Sequence, residues 1–269
     1  GDFPRIYFNN DGDKNKIVSI DLWGVIAWSS MESAFYGCDT LICQAPDQPK
    51  LENVTSLKNM FRECSLFDGN IGGWNTSQVT DMSNMFYGCT NFDGPISYWD
   101  VGNVVDMSNM FYEASIFNQD LINWNINNVT NFSNTFYNAA SFDQSLETWT
   151  FNSSADLTNM LDNCGMSCLN YDKTLVNWSN NPSIPDNITL GASGITYWLG
   201  QNARNRLLNN KNWTIVGDNY GECNYDLPCI PLTWLGITNE WSDPSNWDWG
   251  FVPQACNEVI IGSALDTLL

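Results

Sequence analysis

Residues 79–103 read VTDMSNMFYGCTNFDGPISYWDVGN, and the chain on both sides of them says nearly the same thing again. Val54 opens VTSLKNMFRECSLFDGNIGGWNTSQ, Val104 opens VVDMSNMFYEASIFNQDLINWNINN and Val129 opens VTNFSNTFYNAASFDQSLETWTFNS, each 25 residues after the last. A degraded copy runs from Ser154 through ADLTNMLDNCGMSCLNYD, and an incomplete leading copy stands at residues 28–41, WSSMESAFYGCDTL. A gapless period of this length is the signature of a stacked-repeat architecture.

Within one repeat, Asp81 is placed to accept from the orphan N–H groups of a following helical turn. Met82, Met85 and Phe86 recur at i, i+3 and i+4, the spacing of one face of a short helix. Gly88 suits the left-handed residue that ends helices. Ile96 to Val101 predicts a short strand, although its alternation is imperfect. One copy cannot bury its apolar face alone, so the copies must stack and bring equivalent side chains into columns. Phe61, Phe86, Phe111 and Phe136 make one column; Trp74, Trp99, Trp124 and Trp149 make another. Asn59, Asn84, Asn109, Asn134 and Asn159 make a third, for which a ladder of side-chain-to-backbone bonds is expected, because a buried amide must be satisfied. Cys38, Cys64, Cys89 and Cys164 share a register with Ala114 and Ala139, which marks them as small packing residues.

The expected fold is an α/β repeat: a leucine-rich-repeat-type right-handed solenoid of 25-residue coils, each a short helix plus a short parallel strand, with capping elements, followed by the start of a β-rich module. The divisions read as an N-terminal cap and first incomplete repeat (1–53), repeats (54–178), a C-terminal cap (179–217), a linker (218–230) and the opening of the β-rich module (231–269). The C-terminal cap carries ITLGASGITYWLG, a helix over QNARNRLLNN and a closing strand at WTIVGD. The fifth repeat departs from the pattern, with Leu161 in place of Phe and Trp178 displaced by four residues.

Composition excludes several functions. Ten basic against thirty acidic residues give a net charge of −20. Such a polyanion is a poor partner for nucleic acid, whose affinity rests on Lys and Arg, and for an anionic membrane face. No stretch of 18 apolar residues is available to insert into a bilayer. There is no histidine, hence no imidazole general base or metal ligand. Nothing matches a nucleophile elbow, a phosphate-binding loop or a metal triad, and no enzyme is expected. The opening GDFPRIYF reads as the interior of a longer chain, with any export signal upstream.

The motif VTDMSNMFYGC at 79–89 with Trp99-Asp100-Val101 resembles the BspA-like leucine-rich repeat family of large bacterial and protist surface proteins. The likeness spans roughly residues 5–217, including FNNDGDKNKI near the start and ARNRLLNNKNWTIVGD near the end of that span. The tail TWLGITNEWSDPSNWDWGFVP resembles a module of secreted multidomain Bacteroidota proteins, many of which leave by type IX secretion and some of which serve gliding or adhesion. The resemblance implies an extracellular, cell-surface adhesin that meets a protein or glycan on another surface, or other domains or chains of its own assembly. It supplies no catalytic residue. Two other roles stand beside it, a spacer or filament subunit of a surface stalk and a carbohydrate-binding accessory.

The candidate contact residues are Tyr36, Tyr87, Tyr112 and Tyr137, a column that follows the core phenylalanines and faces outward; mutual packing of these rings is the competing reading. The Trp column could stack sugars or fill the core. Asp11, Asp13 and Asn15 imitate the first half of a Ca²⁺-binding loop, but Lys16 and Leu22 stand where the loop needs Gly and Glu. No cofactor is expected, and Ca²⁺ between repeats, on Asp68, Asp93, Asp143 or Asp81, Asp106, Asp156, has no support beyond their acidity. The nine cysteines form no CxxC pair. Cys164–Cys168 and Cys223–Cys229 are candidate disulfides in an exported chain. Thr40 and Thr267, each in Asp-Thr-Leu, are candidate O-glycosylation positions.

Overall fold

The computed structural model describes residues 5–223, 232–236, 239–242, 246–247, 253 and 258–261. The expected α/β leucine-rich-repeat-type solenoid of helix-plus-strand coils is overturned. Only two α-helices occur among the described residues, α1 (Cys168–Asn180) and α2 (Gln201–Asn210), and α1 begins only in the last copy. The strands are two or three residues long and form four two-stranded parallel sheets. β1 (Ser19–Ile20) pairs with β2 (Ile42–Cys43), and β3 (Thr189–Gly191) with β5 (Thr214–Val216). β4 (Thr196–Tyr197) pairs with β6 (Asn219–Tyr220), and β7 (Leu232–Trp234) with β8 (Val259–Ile261). Between β2 and α1 the chain is turns and irregular segments, joined copy to copy by isolated parallel bridges Ser56 to Asp81, Asp81 to Asp106, Asp106 to Asn131 and Asn131 to Asp156.

The predicted helix at Met82–Gly88 fails for a reason visible in the backbone. Asn59, Asn84, Asn109, Asn134 and Asn159 all have φ between 53° and 57°, in the left-handed region. Four residues further on, Glu63, Gly88, Glu113, Asn138 and Asn163 lie between 56° and 68°. A right-handed helix cannot run through two left-handed residues, which an L side chain occupies at a cost of about 1–2 kcal/mol and Asn tolerates best. The zigzag divides the N–H groups. Leu57, Asn59, Phe61 and Glu63 donate to the carbonyls of Asp81, Ser83, Met85 and Tyr87 in the next copy at 2.7 to 3.0 Å. The residues between them turn inward, Met60 donating to Leu57, Arg62 to Asn59 and Cys64 to Phe61. Met82, Asn84, Phe86 and Gly88 repeat the outward pattern onto Asp106, Ser108, Met110 and Tyr112.

The asparagine column therefore serves the backbone and not a side-chain ladder. The side-chain contacts found in it are few: Asn159 donates to the Asn134 oxygen at 3.1 Å, Asn84 accepts from Arg62 at 3.4 Å, and the Asn59 oxygen is buried without a partner among the described residues. The expected strand at Ile96–Val101 is also absent, because Trp99 N–H closes a turn on the Ile96 carbonyl at 3.0 Å and throws Tyr98 into solvent.

The side chains form the core that the column pattern requires. Phe35, Phe61, Phe86, Phe111 and Phe136 stack at centroid separations of 5.6 to 6.0 Å. The tryptophans are buried beside them, and three of the indole N–H groups donate one copy back: Trp99 to Ile71, Trp124 to Ile96 and Trp149 to Leu121, all at 3.0 to 3.1 Å. Trp178 keeps this bond, to Leu146 at 3.0 Å, although it is displaced in sequence. The extra residues are absorbed by α1, which Ser167 caps by accepting from Asn170 N–H. Core filling is thus the role of the Trp column.

Past the repeats, α1 packs on α2, which coincides with the QNARNRLLNN stretch. The Asp218 carboxylate, almost wholly buried, takes two bonds from Arg204 at 2.6 and 2.7 Å and a third from the Tyr171 hydroxyl at 3.0 Å. Cys168 forms a disulfide with Cys223, 55 residues away. This corrects both expected pairings: Cys164 is a free thiol, Cys223 is committed to Cys168, and Cys229 lies outside the described residues.

Two substitutions test this architecture. Asn109→Ala is expected to lower the unfolding free energy by about 1–2 kcal/mol while Asn109→Gly leaves it near the parent value, because only the backbone conformation is at stake. Equal losses in urea titrations of the two variants would restore the side-chain ladder. Cys168→Ser opens a 55-residue loop and should cost about 2–4 kcal/mol; a reduced parent protein should show the same loss.

Candidate functional site: the tyrosine and arginine column

The four candidate tyrosines are half-buried and occupy one line on the outside of the turns. Tyr87 and Tyr112 stack with centroids 4.5 Å apart and planes 1° from parallel; Tyr112 and Tyr137 follow at 4.8 Å and 8°. Tyr36 does not touch Tyr87. The register position between them belongs to Arg62, whose guanidinium lies 5.1 Å from the Tyr36 ring centroid and 4.3 Å from that of Tyr87. Both distances are within cation–π range. Arg62 also reaches Glu63 at 3.5 Å and donates to the Asn84 side chain. The result is one continuous row, Tyr36, Arg62, Tyr87, Tyr112, Tyr137, held in line by the cross-copy backbone bonds from Gly37, Glu63, Gly88 and Glu113 beneath it.

Sequence reading missed Arg62, although the register pointed to it: it stands 25 residues before Tyr87. At the far end the same register position is Asp162, nearly buried, whose carboxylate accepts from Ser193 N–H at 2.8 Å and so closes the row. The tyrosines do not crown a helix, as expected, since no helix is there. Their mutual packing is confirmed by the ring geometry, and it has a consequence for recognition. With parallel rings about 4.5–5 Å apart, each internal ring face is covered by its neighbour, and the outer surface presents ring edges and hydroxyls. Desolvation raises the Tyr87 and Tyr112 hydroxyls above the usual phenol range, helped by Glu113, so both are protonated donors at neutral pH.

The remaining candidates do not assemble into a site. Asp13 pairs with Lys16 at 2.7 Å, Asp11 accepts from its neighbour Gly12 N–H, and Asn15 lies in the 3₁₀ turn Lys14–Lys16. Asp81, Asp106 and Asp156 each accept from the N–H two residues on, at 2.8 to 2.9 Å, closing local turns; the cap of a helix is not their role. Asp93 accepts from Asn118 N–H and the Gln119 amide, and Asp143 from Ser167 N–H and the Asn170 amide. No group of three or more His, Cys, Asp or Glu among the described residues is placed to hold a metal ion. Thr40 is exposed in a turn; Thr267 lies outside the described residues.

The cysteine register is chemically quiet. Cys64 and Cys89 donate to the Phe35 and Phe61 carbonyls at 3.0 and 2.8 Å. Burial pushes the Cys38 and Cys164 thiols up to about 12 and raises Cys64 and Cys89 well above the thiol range.

A family model described as Mycoplasma protein of unknown function, DUF285, matches residues 29–149 and again residues 55–178, together more than half of the chain. The chain belongs to that family. No curated protein and no solved structure matches it. No helix among the described residues is long and apolar enough to cross a membrane.

Because the thiolate is the reactive species and these pKa values are raised, the native protein at pH 8 should leave Cys38, Cys64 and Cys89 unmodified by iodoacetamide. Peptide mass spectrometry after labelling in urea should show all three alkylated. Rapid native labelling of Cys89 would contradict its burial.

Proposed function

We propose that this chain is an interaction module of an exported cell-surface adhesin, and that the row from Tyr36 to Tyr137 is its contact with a protein on another surface. The observation carrying the proposal is the stacked row itself. Tyrosine and arginine are the residues that anchor interfaces. Here both are held in register by main-chain bonds, so little side-chain freedom remains to be lost on binding. The chain's charge of −20 favours a cationic or neutral partner. A disulfide between Cys168 and Cys223 suits an oxidising compartment, and the resemblance of the 25-residue motif to BspA-like surface proteins points the same way.

A partner protein is preferred over a glycan on geometric grounds. Sugars bind aromatic residues by lying on a free ring face, and the faces of Tyr87 and Tyr112 are covered by the stacking. What remains is an edge of tyrosine hydroxyls, those of Tyr87 and Tyr112 bonded to each other, with Arg62 set between Tyr36 and Tyr87, suited to the carbonyls and carboxylates of a protein surface.

The test is surface plasmon resonance against a panel of matrix and cell-surface proteins. The triple variant Tyr87→Phe, Tyr112→Phe, Tyr137→Phe keeps the stacking and removes the hydroxyls. It should bind at least about tenfold more weakly, the equivalent of one net hydrogen bond of about 1.4 kcal/mol, with an unchanged thermal midpoint. Arg62→Ala should weaken the same interaction and reduce its salt dependence. Parent-level binding by both variants would remove the row from the interface.

A further inference from the structure

At the N-terminal end of the stack, Ile6, Ile17, Ile20, Leu22, Trp23 and Ile26 line a groove of about 290 Å³ together with Trp28, Phe35, Ser19 and Asp21. Its walls are apolar, and Leu22, Val25 and Val18 nearby are exposed at 70, 82 and 57 %. Soluble chains rarely leave such clusters open without a use.

Two further observations say what shape of ligand the groove would take. The first is an open strand edge. β1 is bonded to β2 on one side, where the Val18 and Ile20 carbonyls accept from Ile42 and Gln44 N–H at 3.0 and 2.9 Å. Successive residues of a strand point their N–H and C=O groups to opposite edges. The N–H and C=O of Ser19 therefore face away from β2, where no backbone partner stands among the described residues. The second is a buried donor. Trp28 is 3 % exposed and its indole N–H has no hydrogen-bond partner among the described residues. Such a group is costly to bury until something accepts from it. By contrast Trp99, Trp124, Trp149, Trp178 and Trp213 each donate to a backbone carbonyl.

An apolar trough beside an unpaired strand edge, with a buried donor in its wall, is complementary to one kind of object. We infer that it receives an extended peptide segment of another protein. That segment would pair its main chain with Ser19, bury alternate apolar side chains in the groove and offer a carbonyl to the Trp28 indole. This is strand addition, in which main-chain bonds give affinity and the pockets choose the side chains. The exposed Asp21 at the rim and the chain's charge of −20 select a segment flanked by Lys or Arg. A second copy of this acidic chain is disfavoured by the same charge. The groove is separate from the tyrosine row, so each proposal can fail without the other.

The probe is acetyl-Lys-Val-Thr-Val-Thr-Val-Lys-amide titrated into the ¹⁵N-labelled chain, with two controls: both Lys replaced by Glu, and the central Val replaced by Pro. The Trp28 indole resonance is identified by its loss in Trp28→Phe, and Ser19→Pro removes the N–H at the open edge. The Lys peptide should shift the Trp28 indole and Ser19 amide signals saturably. The Pro peptide, and the Ser19→Pro chain, should bind at least about tenfold more weakly, one main-chain hydrogen bond lost, and the Glu peptide should also be weaker. No shift with any peptide, or equal shifts with the Pro and Lys peptides, would overturn the inference. So would movement of the same two resonances with protein concentration alone, which would give the groove to a second copy.

Discussion

The left-handed residues four apart in each copy govern this structure. They turn alternate N–H groups sideways, so that Leu57, Asn59, Phe61 and Glu63 spend their bonds on the next copy and none on a helix of their own. Because the buried main chain has to be satisfied somewhere, each copy depends on its neighbour. An isolated 25-residue segment would leave at least these four donors and a row of apolar side chains uncovered. Cohesion thus resides between copies, through turns and single bridges where regular elements were expected.

The aromatic columns follow from that register. Once the backbones are spaced by their hydrogen bonds, equivalent rings meet face to face, inside as the phenylalanines and outside as the tyrosines. The inner rings make the core. The outer rings, with Arg62 filling the one vacant position, make a line whose internal faces are closed and whose edges are open. In the proposed reading, that difference favours a protein partner over a sugar.

Much of the apparent chemistry proves structural. The acidic side chains at Asp81, Asp93, Asp106 and Asp143 serve local turns or the N–H groups of the following copy. The thiols of the repeat register are neutral and enclosed. Asp218 holds Arg204 and Tyr171 in the C-terminal part, where the disulfide also ties α1 to the end of β6. A group left with unmet capacity among the described residues stands at the margin, the indole of Trp28 beside the open strand edge.

Which residues are equivalent, which of them are buried, and that Cys38, Cys64 and Cys89 are packing residues could all be read from the sequence, because a period and an apolar pattern are one-dimensional facts. The conformation within each period could not. Met82, Met85 and Phe86 satisfy helical spacing and Gly88 reads as a left-handed stop, which it is, but nothing in their order announces that Asn84 inside the turn is left-handed too, a choice enforced by its hydrogen bond to Ser108, 24 positions away. The disulfide partner of Cys168, the place of Arg62 among the tyrosines and the survival of the Trp178 bond across an insertion were likewise decided in three dimensions. Each depends on which surfaces the neighbouring copies bring together, and local preference along the chain carries no record of that.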